Sequence, residues 1–196
     1  MNKHVIYIPH LGQENLLSQQ LAHAFAKHHH EFDKSDNETT LIVQYGSNLK
    51  PLELITPTDT LQIMFTPISN LNAPLHTQTN AKDLFDQIPM LINHLLQDGL
   101  HPDGCTIQLY TLEHSNQNAD IVKEIAKELV TLTGTKNLSI EWHIIPRLTN
   151  LDREQLNQIF EPKITCHGTI HAVPQVSGEV KLIETNGVYT RSGELH

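Results

Sequence analysis

The sequence has little of what marks the common classes of enzyme, secreted scaffold or nucleic-acid binder. Its only cysteines are Cys105 and Cys166, too few for a disulfide framework and in keeping with a reducing compartment. No apolar run is long enough to span a bilayer. Near the N-terminus only Val5–Ile8 is continuously apolar, too short for the core of a cleaved signal peptide. A cytoplasmic protein is expected, or one delivered to a host cytosol without a cleaved signal. Basic residues are scarce: 13 Lys and Arg face 22 Asp and Glu, for a net charge of −9. They are scattered singly from Lys3 to Arg191, so phosphate backbones and acidic lipid surfaces meet repulsion rather than a basic patch. A protein partner, best one with a basic face, suits this charge.

Phosphate and nucleophile motifs are missing as well. Gly12 follows the first apolar run, but Pro9-His10-Leu11-Gly12-Gln13-Glu14 has neither a G-x-G-x-x-G nor a G-K-S/T spacing, and Glu14 would repel an anion. There is no G-x-S-x-G elbow. No cofactor is expected.

What is present is an alternation of short apolar runs with amphipathic helices, the pattern of a three-layer α/β fold. It predicts a mainly parallel sheet of about five strands with crossover helices. Strands are expected at Val5–Ile8, Leu41–Val43, Leu61–Phe65, Ile107–Tyr110 and Leu138–Ile144. A first helix carries Leu17, Leu21, Ala24 and Phe25, and a second runs from Asn80 to Gln97 with Leu84, Ile88, Leu91 and Leu95 on one stripe. Pro89 inside the second helix should kink or restart it, and Gly99 suits its C-terminal end. A third helix starts at Asn118 and closes at Gly134. Beyond Arg147, Thr149–Asp152 resembles a capping box for a short helix ending near Phe160. Ile164–Val173 and Glu179–Glu184 then read as β, and Asn186-Gly187 is the strongest hairpin-turn signal, before Val188–Arg191. One domain is expected over 1–196, with a core at 1–148 and a helix-and-hairpin extension at 149–196.

Fourteen histidines raise the question of a metal. His28, His29 and His30 are consecutive and would point about 100° apart on a helix. His167 and His171 would lie about 13 Å apart along a strand. Neither group converges, and no metal site is expected. Cys166-His167 has the look of a nucleophile and base, but neighbours on a strand face opposite ways. Cys166 could pair instead with a distant His143 or His10, and nothing in the sequence selects between them. Cys105 fits a small buried hydrophobe. Asp59, Asp83 and Asp86 could form a carboxylate cluster but more simply cap and solvate turns. Tyr110, Tyr189 and Trp142 suit strand packing. No residue is assigned a catalytic role.

The order of Pro51–Ile55, Thr60–Pro67, the Leu84–Leu96 helix and Thr106–Leu112 resembles the caspase-like cysteine proteases, including the self-processing domains of bacterial toxins. The likeness spans about residues 1–145. In that family the third-strand type ends in His-Gly and the next core strand in the nucleophilic Cys. Here Thr66-Pro67 and Leu112 stand at those places, so the resemblance implies a fold without its dyad. The Asn, Gln, His and Lys usage also resembles effectors and adaptors of bacterial secretion systems. The expected function is a non-catalytic protein-binding adaptor or accessory factor, with a secretion-system subunit as the partner that the resemblance implies. The alternatives are a cysteine hydrolase using Cys166, or a small-molecule binder using the loops after Ile8, Val43 and Phe65.

Overall fold

Alternating strand and helix segments assemble around one sheet, in which five parallel strands are extended by an antiparallel hairpin. The structure, a computed structural model, describes residues 2–9, 19, 22–27, 38–46, 49–65, 81–112, 118–145 and 166–189. The strands are β1 (Asn2–Ile8), β2 (Glu38–Gln44), β3 (Thr60–Met64), β4 (Thr106–Leu112), β5 (Leu138–Ile145), β6 (Cys166–Pro174) and β7 (Val180–Tyr189). They lie in the order β2-β1-β3-β4-β5-β6-β7. Pairing is parallel from β2 through β5 and antiparallel from β5 to β7. The helices are α1 (residues 22–27), α2 (Ala81–Gln97) and α3 (Asn118–Thr133). No helix among the described residues is long and apolar enough to cross a membrane.

Side chains alternate across a strand, and the two faces divide sharply. Val5, Tyr7, Leu61, Ile63, Ile107, Leu109, Ile140 and Trp142 form one continuous core with the inner stripes of α2 and α3. Full burial of each such aliphatic side chain contributes about 1.5–3 kcal/mol. Tyr7 is tied within this core, its hydroxyl donating to Asp98 Oδ2 at 2.8 Å. Burial and this bond push the Tyr7 phenol far above its usual range. On the opposite face Phe25 of α1 meets the Tyr110 ring edge-on at 4.6 Å.

Helix α2 runs unbroken through Pro89, so the expected restart does not occur. Pro89 is on the exposed side of the helix, where water can serve the Phe85 carbonyl that its missing N–H leaves unpaired. The helix stops at Gly99, with φ of 90°, in a Schellman arrangement: Gly99 N donates to Leu96 O and Leu100 N to Leu95 O, at 3.1 and 2.9 Å.

The hairpin corrects a second expectation. Asn186-Gly187 is not a turn but lies within β7, where Asn186 pairs with Gly168. The chain reverses instead at Gln175–Glu179, closed by Gly178 N to Gln175 O at 3.0 Å and Gln175 N to Glu179 O at 2.8 Å. Gly178 there has φ of 87°, a conformation that glycine adopts without steric cost. Local turn chemistry favoured Asn-Gly, but pairing of β7 with β6 along its whole length prevails. The segment 149–160, expected as a short helix, lies outside the described residues.

Candidate functional site

On the α1 face the central rows of the sheet carry polar side chains that are buried or half-buried. One row runs Ile6, Gln62, Gln108, Glu141, Thr169 from β1 to β6, and the next runs Met64, Tyr110, His143, Cys166 from β3 to β6. Strict alternation would put Cys166 on the other face, because Gly168 opposite Trp142 already belongs there. The register slips at this point: Trp142 pairs with Gly168 but His143 pairs with Cys166. His167 is thus an extra residue in β6, a bulge of the kind that re-aims a side chain. It turns Cys166 inward beside His143 and leaves His167 exposed. Only glycine fits at 168, since a Cβ there would lie 2.3 Å from Trp142 Cη2.

The result is a convergence of three unlike donors. Ligand atoms of Glu141, His143 and Cys166 all lie within 4.8 Å of one another. His143 and Cys166 are buried, and Glu141 is partly exposed. The His143 ring is stacked on Tyr110 with centroids 4.6 Å apart. Its nearer nitrogen, Nε2, stands 3.7 Å from Glu141 Oε2, too long for a hydrogen bond. Neither ring nitrogen has a hydrogen-bond partner, although the residue is only 8% exposed.

A directed chain of amides supports the carboxylate. Gln62 Nε2 donates to Gln108 Oε1 at 2.9 Å, and Gln108 Nε2 donates to Glu141 Oε2 at 3.2 Å. The His143 ring holds the Glu141 carboxyl below its ordinary range, with the Gln108 amide adding to the effect against the opposing influence of burial. Burial pushes the Cys166 thiol up, and the nearby Glu141 charge pushes the same way. The thiol donates to the Gly168 carbonyl at 3.4 Å. At neutral pH this cysteine is therefore a thiol rather than a thiolate.

Of the residues singled out in the sequence, Cys166 and His143 are brought together, whereas His10, His28–His30, Gly12, Glu14 and Thr66-Pro67 lie outside the described residues. Leu112 ends β4. Cys105 is buried, its thiol donating to His101 O at 3.4 Å, and burial pushes its pKa up. His171 is partly buried on β6. Asp59 accepts from Lys3 N, Thr56 N and Thr56 Oγ1, each at 2.8 Å, which joins a turn to β1. Asp86 is exposed on α2, and the side chains of Asp83 and Tyr189 are outside the described set. Glu141 escaped notice in the sequence. The signal was there, since the alternation of Leu138, Ile140, Trp142 and Ile144 sends Glu141 and His143 together to the other face.

At the opposite, amino ends of the strands a cleft of about 610 Å³ is bounded by Lys50, Leu96, His101, Asp103, Leu132 and Lys136, among others. None of its described lining residues belongs to the segments directly after Ile8, Val43 or Phe65. No family model matches the chain, and no curated protein matches it. Among solved structures it is similar to oxidised flavodoxin 1 from Bacillus cereus, with 11% identity over 82% of this chain and 93% of that one and a TM-score of 0.38.

Proposed function

We propose that this chain is a non-catalytic protein-binding module, an adaptor or accessory factor whose partner lays a strand along the outer side of β2. The observation that carries this reading is the character of that edge. Among the described strands β2 pairs with β1 alone, in an unbroken register from Asn2↔Glu38 to Ile8↔Gln44. Edges are ordinarily blunted by lysine, proline or a bulge, and Glu38–Gln44 contains none of these. Leu41 and Ile42 are 43% and 36% exposed and project to opposite faces, so an added strand would cover both. Backbone bonds would supply affinity and the two aliphatic side chains selectivity. The net charge of −9 favours a partner with a basic face, and the residue usage makes a bacterial secretion-system subunit the first class to try.

The test compares the wild-type chain with a Leu41→Lys/Ile42→Lys variant, each recovered from its native cells after mild cross-linking. The wild type is expected in a complex of defined mass and the variant as the free chain, with unchanged melting. Recovery of the wild type only as free monomer at every salt concentration overturns the reading.

A second reading, a cysteine hydrolase, is favoured by the approach of Cys166 to His143. Against it stands the raised thiol, because catalytic cysteines have lowered pKa values. Rapid alkylation of Cys166 in preference to Cys105 at neutral pH would establish the hydrolase. Equal, slow labelling of both would set it aside.

A further inference from the structure

We propose that Glu141, His143 and Cys166 bind a single zinc-class divalent cation between β5 and β6. This goes beyond the docking reading and is independent of it. Carboxylate, imidazole and thiolate together form a donor set that zinc accepts and that magnesium and calcium do not. In a tetrahedral zinc site the bond lengths place ligand atoms roughly 3.5 Å from one another. Glu141 Oε2 and His143 Nε2 are already 3.7 Å apart. The widest separation in the group is within 4.8 Å, a gap on the scale of side-chain rotation rather than of strand movement.

Three features point to a ligand rather than to ordinary packing. First, both nitrogens of the buried His143 ring lack hydrogen-bond partners, and a buried polar group left so costs stability. A metal ion would take one of those nitrogens. Second, the bulge at His167 re-aims Cys166 toward His143, at the cost of the regular ladder. Third, Gln108 donates to the same Glu141 Oε2 that faces His143, fixing the carboxylate, and the Tyr110 ring stacks on the His143 ring. Such outer supports accompany metal ligands.

Binding balances simply. The Cys166 S–H bond breaks and its proton goes to solvent, and the sulfur forms a bond to the cation. His143 donates a nitrogen lone pair, and Glu141 donates a carboxylate oxygen. Two negative ligands then neutralise the divalent charge within the buried site. Water completes the tetrahedron, which leaves one exchangeable position.

Cobalt(II) is the probe, titrated into the full chain after chelator treatment, with zinc as competitor. One equivalent per chain is expected, with a thiolate-to-cobalt charge-transfer band and intense tetrahedral d–d bands that zinc abolishes. The band should disappear in Cys166→Ala and persist in Cys105→Ala. Gln108→Leu should weaken binding about 10–100-fold, and His143→Gln or Glu141→Gln by more. Because these variants alter a buried region, the wild type supplies a second readout: zinc should slow alkylation of Cys166 and not of Cys105. The proposal is overturned by cobalt spectra without a thiolate band, by a band that survives Cys166→Ala, or by zinc that leaves Cys166 labelling unchanged.

Discussion

The two faces of the sheet are made by the same strands, residue by alternate residue, yet they are built on different terms. Toward α2 and α3, Leu61, Ile63, Leu109 and Ile140 are each 0% exposed, in a layer that is apolar but for the Tyr7 hydroxyl and its Asp98 partner. Toward α1, their neighbours Gln62, Gln108, Glu141 and His143 face a layer that also contains Phe25 and Tyr110. Burial alone does not separate the two, since Gln62 is only 2% exposed. What separates them is interchangeability. An apolar layer tolerates any side chain that fills its volume, whereas a polar row depends on each donor meeting its acceptor. One face supplies cohesion and the other holds specific chemistry in place.

Cutting into the cohesive face should have the largest effect. Leu109→Ala removes a fully buried side chain and is expected to cost about 2–5 kcal/mol, read from urea unfolding. A cost below about 1 kcal/mol would mean that this layer is loosely packed and the contrast false.

At the amino ends of the strands, Asp59 offers a polar control outside both faces. Burial pushes its carboxyl up, but the bonds from Thr56 and Lys3 prevail and hold it below the usual range. A depressed carboxylate contributes stability that is fully present above its unfolded pKa and lost as pH falls through its folded pKa. Asp59→Asn is therefore expected to cost about 1.5–3 kcal/mol at pH 7. The gap between variant and wild type should close as pH drops below about 3.9. Unfolding curves at several pH values check this, and a gap that stays constant into acid contradicts it.

The polar row gives the sharpest comparison and the smallest effect. Gln108→Leu removes both the acceptor of Gln62 Nε2 and a donor to Glu141, and about 1–2 kcal/mol should be lost. Adding Gln62→Leu removes that donor too, so the double variant should lose less stability than the two single losses combined. Simple additivity of the two losses in a double-mutant cycle would show that the glutamines do not act as a row.

The strands and long helices were legible because apolar periodicity survives whatever surrounds it. Leu84, Ile88, Leu91 and Leu95 announce α2, and Leu138 to Ile144 announce β5. The parallel core and antiparallel tail followed from these patterns. Pro89 misled because a sequence does not say which side of a helix meets water. Asn186-Gly187 misled because turn chemistry is local, while pairing with β6 is decided by residues about 20 positions away. The site was half visible. Cys166 and His143 stood out as residue types, but their meeting depends on the register of β6, which no pattern in its own residues declares. Glu141 was hidden by an ordinary identity on the polar side of a strand.

The bulge in β6 has a consequence for inheritance. Cys166 faces His143 because one residue, His167, stands outside the pairing. Were His167 to take up its place in a regular ladder opposite His143, Cys166 would fall opposite Ile144, turned toward the apolar layer, with Glu141, His143 and Cys166 all still encoded. A deletion of His167 would do the reverse, since it removes the bulge and keeps Cys166 opposite His143. A relative could thus carry every ligand in its gene and lack the site, so its presence must be judged by register as well as by matching residues.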